Sequence, residues 1–289
     1  TYGLSNLEEI QACGIPPELA TEILRQKTAF AFGSLRKSED LLELCPMDTG
    51  EAEPRPGLRV LRTANNRYRF SLGSESLDVD LNLAPGETYP SPLNLGNHQI
   101  RHEYFSVLHL GEGDGWDTTR PCMSSVVMFQ GKIYLIDTGP NILDSLTAAG
   151  ISVNEIEGIF HTHAHDDHFA GLTSLVRTDH RIKHFATPLV RATIMKKLAG
   201  IMSLPEKRFL RSFEVRDLHF DKWNHIAGLE VMPVFSPHPV ETSVLFFRTQ
   251  WEGGYRSYAH LVDIGGLGPL EKMLCSDPGT SDFSRQLLH

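Results

Sequence analysis

The chain has 289 residues, of which 40% are hydrophobic and 22% are charged, and its formal net charge is −9. This length and composition are typical of a chain that buries a core, which excludes a disordered or fibrous class. The negative charge argues against nucleic acid as a partner, and the absence of a long apolar run argues against a membrane span. Four scattered cysteines without a CxxC pair favour a reducing compartment, and we expect a cytoplasmic protein.

Residues 1–100 are predicted to be an N-terminal extension to a catalytic domain at 101–289. Two short helical patterns lie within residues 5–27, and Pro16-Pro17 begins the second, where a missing backbone N–H is harmless. Turn-forming and acidic residues at 47–57 predict a linker or an exposed loop, and the alternating stretch that starts at Arg67 predicts a β-hairpin. We interpret the extension as an arm for dimerisation or for another partner, with a homodimer as the predicted assembly.

From residue 101 onwards, strand and helix patterns alternate, which predicts an α/β body. Gln130-Gly131 predicts a tight hairpin turn between two of the strands. The strand patterns lie at 104–110, 124–130, 132–137, 156–160, 181–187, 229–235, 243–249 and 258–264. The helix patterns lie at 141–150, 169–178, 188–200 and 267–274.

Histidines and aspartates crowd into residues 160–172, between a buried strand and an apolar helix. On an extended chain, His163 and His165 point to the same side and can bind one cation through neutral imidazole nitrogens. As the chain turns into the helix, Asp167 and His168 can face a second cation. A solvated histidine-rich loop is the alternative, but this cluster does not lie in a compositionally biased tract.

The hexapeptide HAHDDH, from His163 to His168, resembles the HxHxDH signature of the metallo-β-lactamase superfamily. The resemblance covers roughly residues 104–275. It implies an α/β fold class, namely the αβ/βα four-layer sandwich in which two mixed β-sheets pack face to face and helices flank them. It also implies two divalent metal ions, zinc or alternatively iron or manganese, at the edge where strand ends converge.

The same resemblance implies the other site residues. Asp137 in LIDTG matches an aspartate that supports the metal histidines, and His238 in SPHPVETS matches the third histidine of the first metal site. Asp263 in LVDIGG matches the carboxylate that bridges both metals. Taken singly, these residues would equally suit a turn cap, a loop histidine and an Asx turn. The late histidine of the second site is assigned to His289, to a residue beyond the chain end or, more weakly, to His260.

The remaining histidines are assigned to the surface or to the surroundings of the ligands, with His161 beside the pocket. These histidines are His161, His180, His184, His219 and His225.

The sequence has no GxSxG elbow, P-loop or Rossmann glycine pattern, so serine, nucleoside-triphosphate and hydride chemistries lack a motif.

The resemblance implies a metal-dependent hydrolase in which a hydroxide shared by two metals attacks the substrate, while Asp167 orients the water or relays its proton. True β-lactamases tend to carry cysteine where this chain has Asp263, which favours the phosphodiesterase, glyoxalase and lactonase branches. The acidic charge favours a small intracellular molecule over long RNA. The predicted substrate is therefore a small phosphodiester of nucleotide type, with a glyoxalase II-like thioesterase or lactonase as an alternative.

Two further hypotheses belong to other classes. A di-iron oxygen-binding or redox protein would resemble the flavodiiron branch, which usually has glutamate where this chain has His165. A regulatory or structural member would have kept its ligands incompletely. Basic residues of the helix after Pro188 could meet a substrate phosphate, although a solvated helix face also accounts for Arg191, Lys196 and Lys197.

Overall fold

The computed structural model describes residues 3–32, 43, 45–47, 49–87 and 93–263. By its internal contacts the chain divides into two compact units, residues 1–36 together with 91–289, and residues 37–90. The division predicted from the sequence, 1–100 against 101–289, stays a prediction. The division by contacts differs from it because the N-terminal helices group with the body. In the described part of the chain, no helix is long and apolar enough to cross a membrane.

The unit at 37–90 is an antiparallel meander of four strands, in the spatial order β1-β2-β3-β4. The hairpin predicted from Arg67 is confirmed, but the linker predicted at 47–57 is wrong in part because it contains a strand. Pro54 is tolerated there because β1 is an edge strand, whose N–H groups need no partner on one side. The strands are β1 (Glu51–Arg55), β2 (Leu58–Ala64), β3 (Arg67–Leu72) and β4 (Glu75–Asp80).

The helices of the larger unit agree with the predicted pattern in part. Pro17 is the first residue of its helix. The helix predicted over 141–150 is observed at Ile142–Ala148, and Gly150, with φ +69°, lies just beyond its end. The helix predicted over 169–178 is instead a 3-10 helix at Ala170–Arg177, and the helix predicted over 267–274 lies outside the described residues. The α-helices are α1 (Leu7–Gln11), α2 (Pro17–Phe32), α3 (Ile142–Ala148), α4 (Asp166–Phe169), α5 (Pro188–Met202) and α6 (Phe209–Ser212).

The larger unit contains a mixed six-stranded sheet in the order β10-β9-β8-β7-β6-β5. The strands from β7 to β10 are parallel, whereas β5, β6 and β7 are antiparallel. Gln130 and Gly131 both have positive φ, 49° and 76°, so the predicted tight turn is confirmed. The strands are β5 (Phe105–Gly111), β6 (Ser124–Phe129), β7 (Lys132–Ile136), β8 (Ile156–Phe160), β9 (Ile182–Ala186) and β10 (Phe213–Asp217).

A second sheet of four strands has the order β11-β12-β13-β14. Its described pairs are all antiparallel, so the mixed character that the resemblance implied belongs to the six-stranded sheet alone. The first strand of this sheet was not predicted from the sequence. The last strand starts at Gly254, four residues before the strand predicted at 258–264. The strands are β11 (Asn224–Ile226), β12 (Leu229–Ser236), β13 (Thr242–Trp251) and β14 (Gly254–His260).

Strand β6 shows how the layers are built, because all six of its side chains are buried. Val126 and Met128 face a core shared with α3 and α5, and Val127 and Phe129 face a core shared with the second sheet. Alternate side chains of a strand point to opposite faces, so this strand needs cover on both sides. Two sheets packed face to face with flanking helices confirm the predicted sandwich fold.

This architecture brings four chain segments to one edge. Because β7 and β8 are parallel neighbours, Asp137 after β7 and the loop that carries His163 after β8 leave the sheet side by side. His238 lies between β12 and β13, and Asp263 follows β14. The second sheet therefore supplies its groups to the same edge.

Candidate metal centre

Three imidazoles and one carboxylate converge on a first set of ligand atoms. The Nε2 atoms of His163 and His238 lie 3.1 and 3.0 Å from Nδ1 of His165. Oδ2 of Asp263 lies 3.3 Å from His163 Nε2 and 3.5 Å from His238 Nε2. These four ligand atoms all lie within 4.8 Å of one another.

A second set of ligand atoms shares the same aspartate. Nε2 of His168 lies 3.6 Å from Oδ2 of Asp167 and 3.4 Å from Oδ1 of Asp263. The two carboxylate oxygens of Asp263 therefore face different sets, Oδ2 the first and Oδ1 the second. A carboxylate in this position suits a bridge between two cations.

The separations between these ligand atoms are compatible with bound metal ions. Around a tetrahedral zinc with Zn–N of about 2.0–2.1 Å, neighbouring ligand atoms lie about 3.3–3.4 Å apart. The spacings of 3.0–3.5 Å in the first set agree with that value. Imidazole nitrogens and carboxylate oxygens are also the donors that zinc, manganese and iron accept.

Asp137 holds the ring of His168 in place. The fully buried Asp137 accepts hydrogen bonds from Nδ1 of His168 at 2.8 Å and from the hydroxyl and N–H of Thr162 at 2.6 and 2.8 Å. With Nδ1 donating to a carboxylate, His168 presents Nε2 to the second ligand set. No motif in the sequence marks Thr162, whose hydroxyl also lies 3.0 Å from Nδ1 of His163.

Burial disfavours the charged form of each candidate ligand, and the neighbouring charged groups decide whether its pKa rises or falls. Burial and nearby imidazoles lower the pKa of His165 to about 3 and that of His238 to about 4. In His168, burial acts in the same direction, but Asp137 and Asp263 outweigh it and raise the pKa to about 10. Without metal at pH 7, His165 and His238 are thus neutral donors, whereas His168 carries a proton that a metal must displace.

Both aspartates that the resemblance placed at strand ends have left-handed backbone. Asp137 has φ +58° and Asp263 has φ +44°. Such values are uncommon for residues other than glycine, although aspartate tolerates them better than most. Backbone strain of this kind concentrates at functional sites.

A basic residue of α5 fastens the ligand loop. Nζ of Lys197 donates to the carbonyl oxygen of Ala164 at 2.6 Å and pairs with Asp166 at 2.7 Å. The other two basic residues considered for a substrate phosphate are also paired, Arg191 with Asp217 and Lys196 with Glu9. These three residues therefore form ion pairs with carboxylates of the protein itself.

The N-terminal helices reach the His238 loop through a buried ion pair. Lys27 of α2, fully buried, pairs with the carboxylate of Glu241, which is 1% exposed. Glu241 also accepts hydrogen bonds from the N–H of Leu4 at 3.2 Å and from the hydroxyl of Thr193 at 2.6 Å. Because Glu241 follows His238 by three residues, this network anchors a loop that carries a candidate ligand.

The other histidines have different positions. His161 is buried, and its ring nitrogens lie 3.2 Å from the Thr138 hydroxyl and 3.0 Å from Nε2 of His184, so it faces the interior rather than the ligands. His260 is also buried, and its Nδ1 lies 2.9 Å from the hydroxyl of Tyr258. The exposed ones are His180, His219 and His225, while His289 lies outside the described residues.

A cavity of about 500 Å³ opens beside the ligand sets. His165, Asp167 and Asp263 line it together with Asp166 and the loop between β5 and β6. Its size falls within the range of about 300–1,000 Å³ that is usual for small-molecule sites. The candidate ligands are therefore open to a small substrate.

Comparison with known proteins agrees with this geometry. A model of the family described as Anti-Pycsar protein Apyc1 matches residues 105–251, just over half of the chain. The chain belongs to this family. The matched part of this Apyc1-family chain includes His163, His165, Asp167, His168 and His238 and ends before Asp263. Their roles as metal ligands stay predictions.

Among curated proteins, the Apyc1-family chain is similar to ribonuclease Z of Pyrococcus abyssi, with 36% identity over 73 residues. The match covers 25% of this chain and 24% of the relative, so it spans about a quarter of that enzyme's length. Together with the two-sheet fold and the clustered histidines and aspartates, it confirms the resemblance to the metallo-β-lactamase superfamily.

Solved structures similar to the Apyc1-family chain include a diphosphatase of the PhnP family, with a TM-score of 0.39 and 22% identity. That likeness covers 49% of this chain and 61% of the diphosphatase. Another is the short form of human tRNase Z, with a TM-score of 0.40 and 18% identity. It covers 57% of this chain and 73% of the tRNase.

Proposed function

We propose that this chain is a dinuclear metallohydrolase that cleaves a small phosphodiester of nucleotide type. The observation that carries the proposal is the position of Asp263, whose two oxygens face two different sets of ligand atoms. His163, His165 and His238 would hold one ion, Asp167 and His168 the other, and Asp263 both. Two such ions supply Lewis acidity and lower the pKa of a coordinated water.

The chain's own residues prepare the site for that chemistry. Asp137 keeps the ring of His168 in one tautomer and orientation, with Nε2 toward the cavity. Burial raises the pKa of Asp167 in the metal-free protein. As a ligand of the second ion its carboxylate would be ionised, and it would orient the attacking water. Asp167 lines the cavity, so a substrate there lies within its reach.

The phosphodiester class is supported by residue type and by similarity. Asp263 is a carboxylate where the β-lactamases of this superfamily tend to carry cysteine, and the curated relatives are named as ribonucleases. The residues that line the cavity in the described part of the chain include three aspartates beside the bridge and no lysine or arginine. An acidic mouth repels a long polyanion, which favours a small substrate.

The first experiment combines elemental analysis of the purified chain with hydrolysis assays. The substrates are bis(p-nitrophenyl) phosphate, a thioester and a β-lactam, at equal concentrations. About two zinc or manganese ions per chain and turnover of the phosphodiester alone are the expected result. Turnover of the thioester alone would replace the proposal with the glyoxalase II-like alternative, and two irons without hydrolysis would replace it with the redox alternative.

Matched variants link activity to the site. His163→Ala is expected to lose metal and activity, whereas His225→Ala, a change at an exposed histidine, is expected to keep both. Equal activity of the two variants would overturn the assignment of the site. Predicted homodimerisation is independent of this assay and can be measured by sedimentation of the same preparations.

A further inference from the structure

Trp116 has an unusual position for a large apolar side chain. It is 93% exposed, more than any other large hydrophobic residue in the described part of the chain. It lines the cavity of about 500 Å³ together with His165, Asp167 and Asp263. An indole exposed to water does not gain the free energy of burying its apolar surface. A ligand that covers the indole in this cavity would gain that free energy on binding.

The loop that carries Trp116 is held against the metal site. Between β5 and β6, the N–H of Gly113 donates to the carbonyl oxygen of Pro121 at 2.8 Å, which closes the base of the loop. The N–H of Trp116 donates to the carboxylate of Asp114 at 3.0 Å. Gly115 has φ +79°, and a β-carbon there would lie 3.2 Å from Cβ of Asp167. The loop thus approaches a candidate ligand closely, and Trp116 shares the cavity with the ligand sets.

We propose that Trp116 is the nucleobase subsite of this enzyme, a surface on which the base of a nucleotide diester stacks while the phosphodiester lies at the ligand sets. The inference rests on the proposed function and adds which side chain receives the base of the substrate. Bases stack on aromatic side chains because every base has a π-face, so stacking selects for a base without selecting its identity.

The composition of the cavity favours this role. Its described lining offers no cationic side chain for a second phosphate, so affinity beyond the reacting phosphodiester must come from another part of the substrate. The indole is the one large apolar surface among those lining residues. An exposed tryptophan can also anchor a partner protein, but here it shares its cavity with candidate metal ligands, which favours a substrate.

The test compares two diesters that have the same leaving group. Thymidine 5′-(p-nitrophenyl phosphate) carries a base, and methyl p-nitrophenyl phosphate does not. Trp116→Leu is expected to lower kcat/KM for the thymidine diester about tenfold, mainly through KM, and to leave the methyl diester unchanged, whereas Trp116→Phe keeps most of the activity on both. Metal content should equal that of the parent in both variants.

Two results would overturn the inference while the proposed function stands. These are an equal loss on both diesters, and no loss on either, the outcome expected of a partner-binding tryptophan. If the parent hydrolyses neither diester, the proposed function fails and fluorescence decides the subsite. Quenching by thymidine 5′-monophosphate, absent with ribose 5-phosphate and lost in Trp116→Phe, would support it. Absence of quenching in the parent would overturn it.

Discussion

Lys27→Met is expected to destabilise the protein through the loop that carries His238. The Lys27 ammonium is fully buried, pairs with Glu241 and donates a hydrogen bond to the carbonyl oxygen of Leu4 at 2.7 Å. Methionine fills a similar volume without the charge, so the substitution removes the cation and leaves the packing nearly intact. The carboxylate of Glu241 then stays buried without its counter-ion.

The size of the destabilisation depends on the hydrogen bonds that Glu241 keeps after Lys27 is replaced. Removing one partner of a buried ion pair costs about 3–5 kcal/mol. Glu241 retains hydrogen bonds from the N–H of Leu4 and the hydroxyl of Thr193, which places the loss near the lower end, about 3 kcal/mol. With an unfolding entropy of about 2.1 cal/mol/K per residue, that loss lowers Tm by about 5 °C.

The assay is urea unfolding followed by circular dichroism at pH 7, with elemental analysis of each variant. Lys196→Met is the matched control, because its pair with Glu9 is exposed and such pairs contribute about 1 kcal/mol or less. In the double variant Lys27→Met with Glu241→Gln, loss of both charges is expected to recover part of the stability.

A Lys27→Met protein as stable as Lys196→Met would refute the reasoning. So would a double variant whose losses simply add, since it would show that the two side chains do not interact. Loss of metal from Lys27→Met at unchanged stability would show instead that the pair acts on the His238 loop and contributes little to the fold.

Four other predictions concern the metal site. Asp263→Ala should lose metal and activity while circular dichroism stays unchanged; retention of both ions would exclude Asp263 as the bridge. Metal binding at pH 7 should release about one proton per chain, measured by titration calorimetry in buffers of different ionisation enthalpy, because Asp137 and Asp263 raise the pKa of His168 to about 10 in the metal-free protein. Protonated His168 stabilises the folded, metal-free protein, and this contribution is fully present below pH about 6.5. It should be lost as the pH rises to about 10, which is measured as a fall in the free energy of unfolding by urea in the presence of a chelator. Asp137→Asn should weaken metal binding about 10- to 100-fold, measured by competition with a chelator, and parent-like affinity would contradict the orienting role of Asp137.

The sequence by itself determined the local features of this protein. The tight turn at Gln130-Gly131 and the start of α2 at Pro17 depend on the backbone preferences of single residues, and both lie where predicted. The pair His163 and His165 is also local, because two residues on an extended chain point to one side. The residue types of HAHDDH then carried the resemblance to the superfamily.

Only the tertiary structure decided which distant residues meet. Lys27 and Glu241 are 214 positions apart, and neither lies in a pattern that predicts a buried ion pair. Strand β1 contains Pro54 and was predicted as a linker, because local turn propensity does not reveal that a strand will lie at a sheet edge.

The position of Trp116 beside the ligand sets has the same origin. The loop between β5 and β6 and the loop after β8 are separate in the chain, and the order of the strands in the sheet brings them to one edge. Periodicity and spacing report which residues share a face of one element. Contacts between elements depend on how whole layers pack, so the ligand types could be predicted from the sequence and the surroundings of the ligands could not.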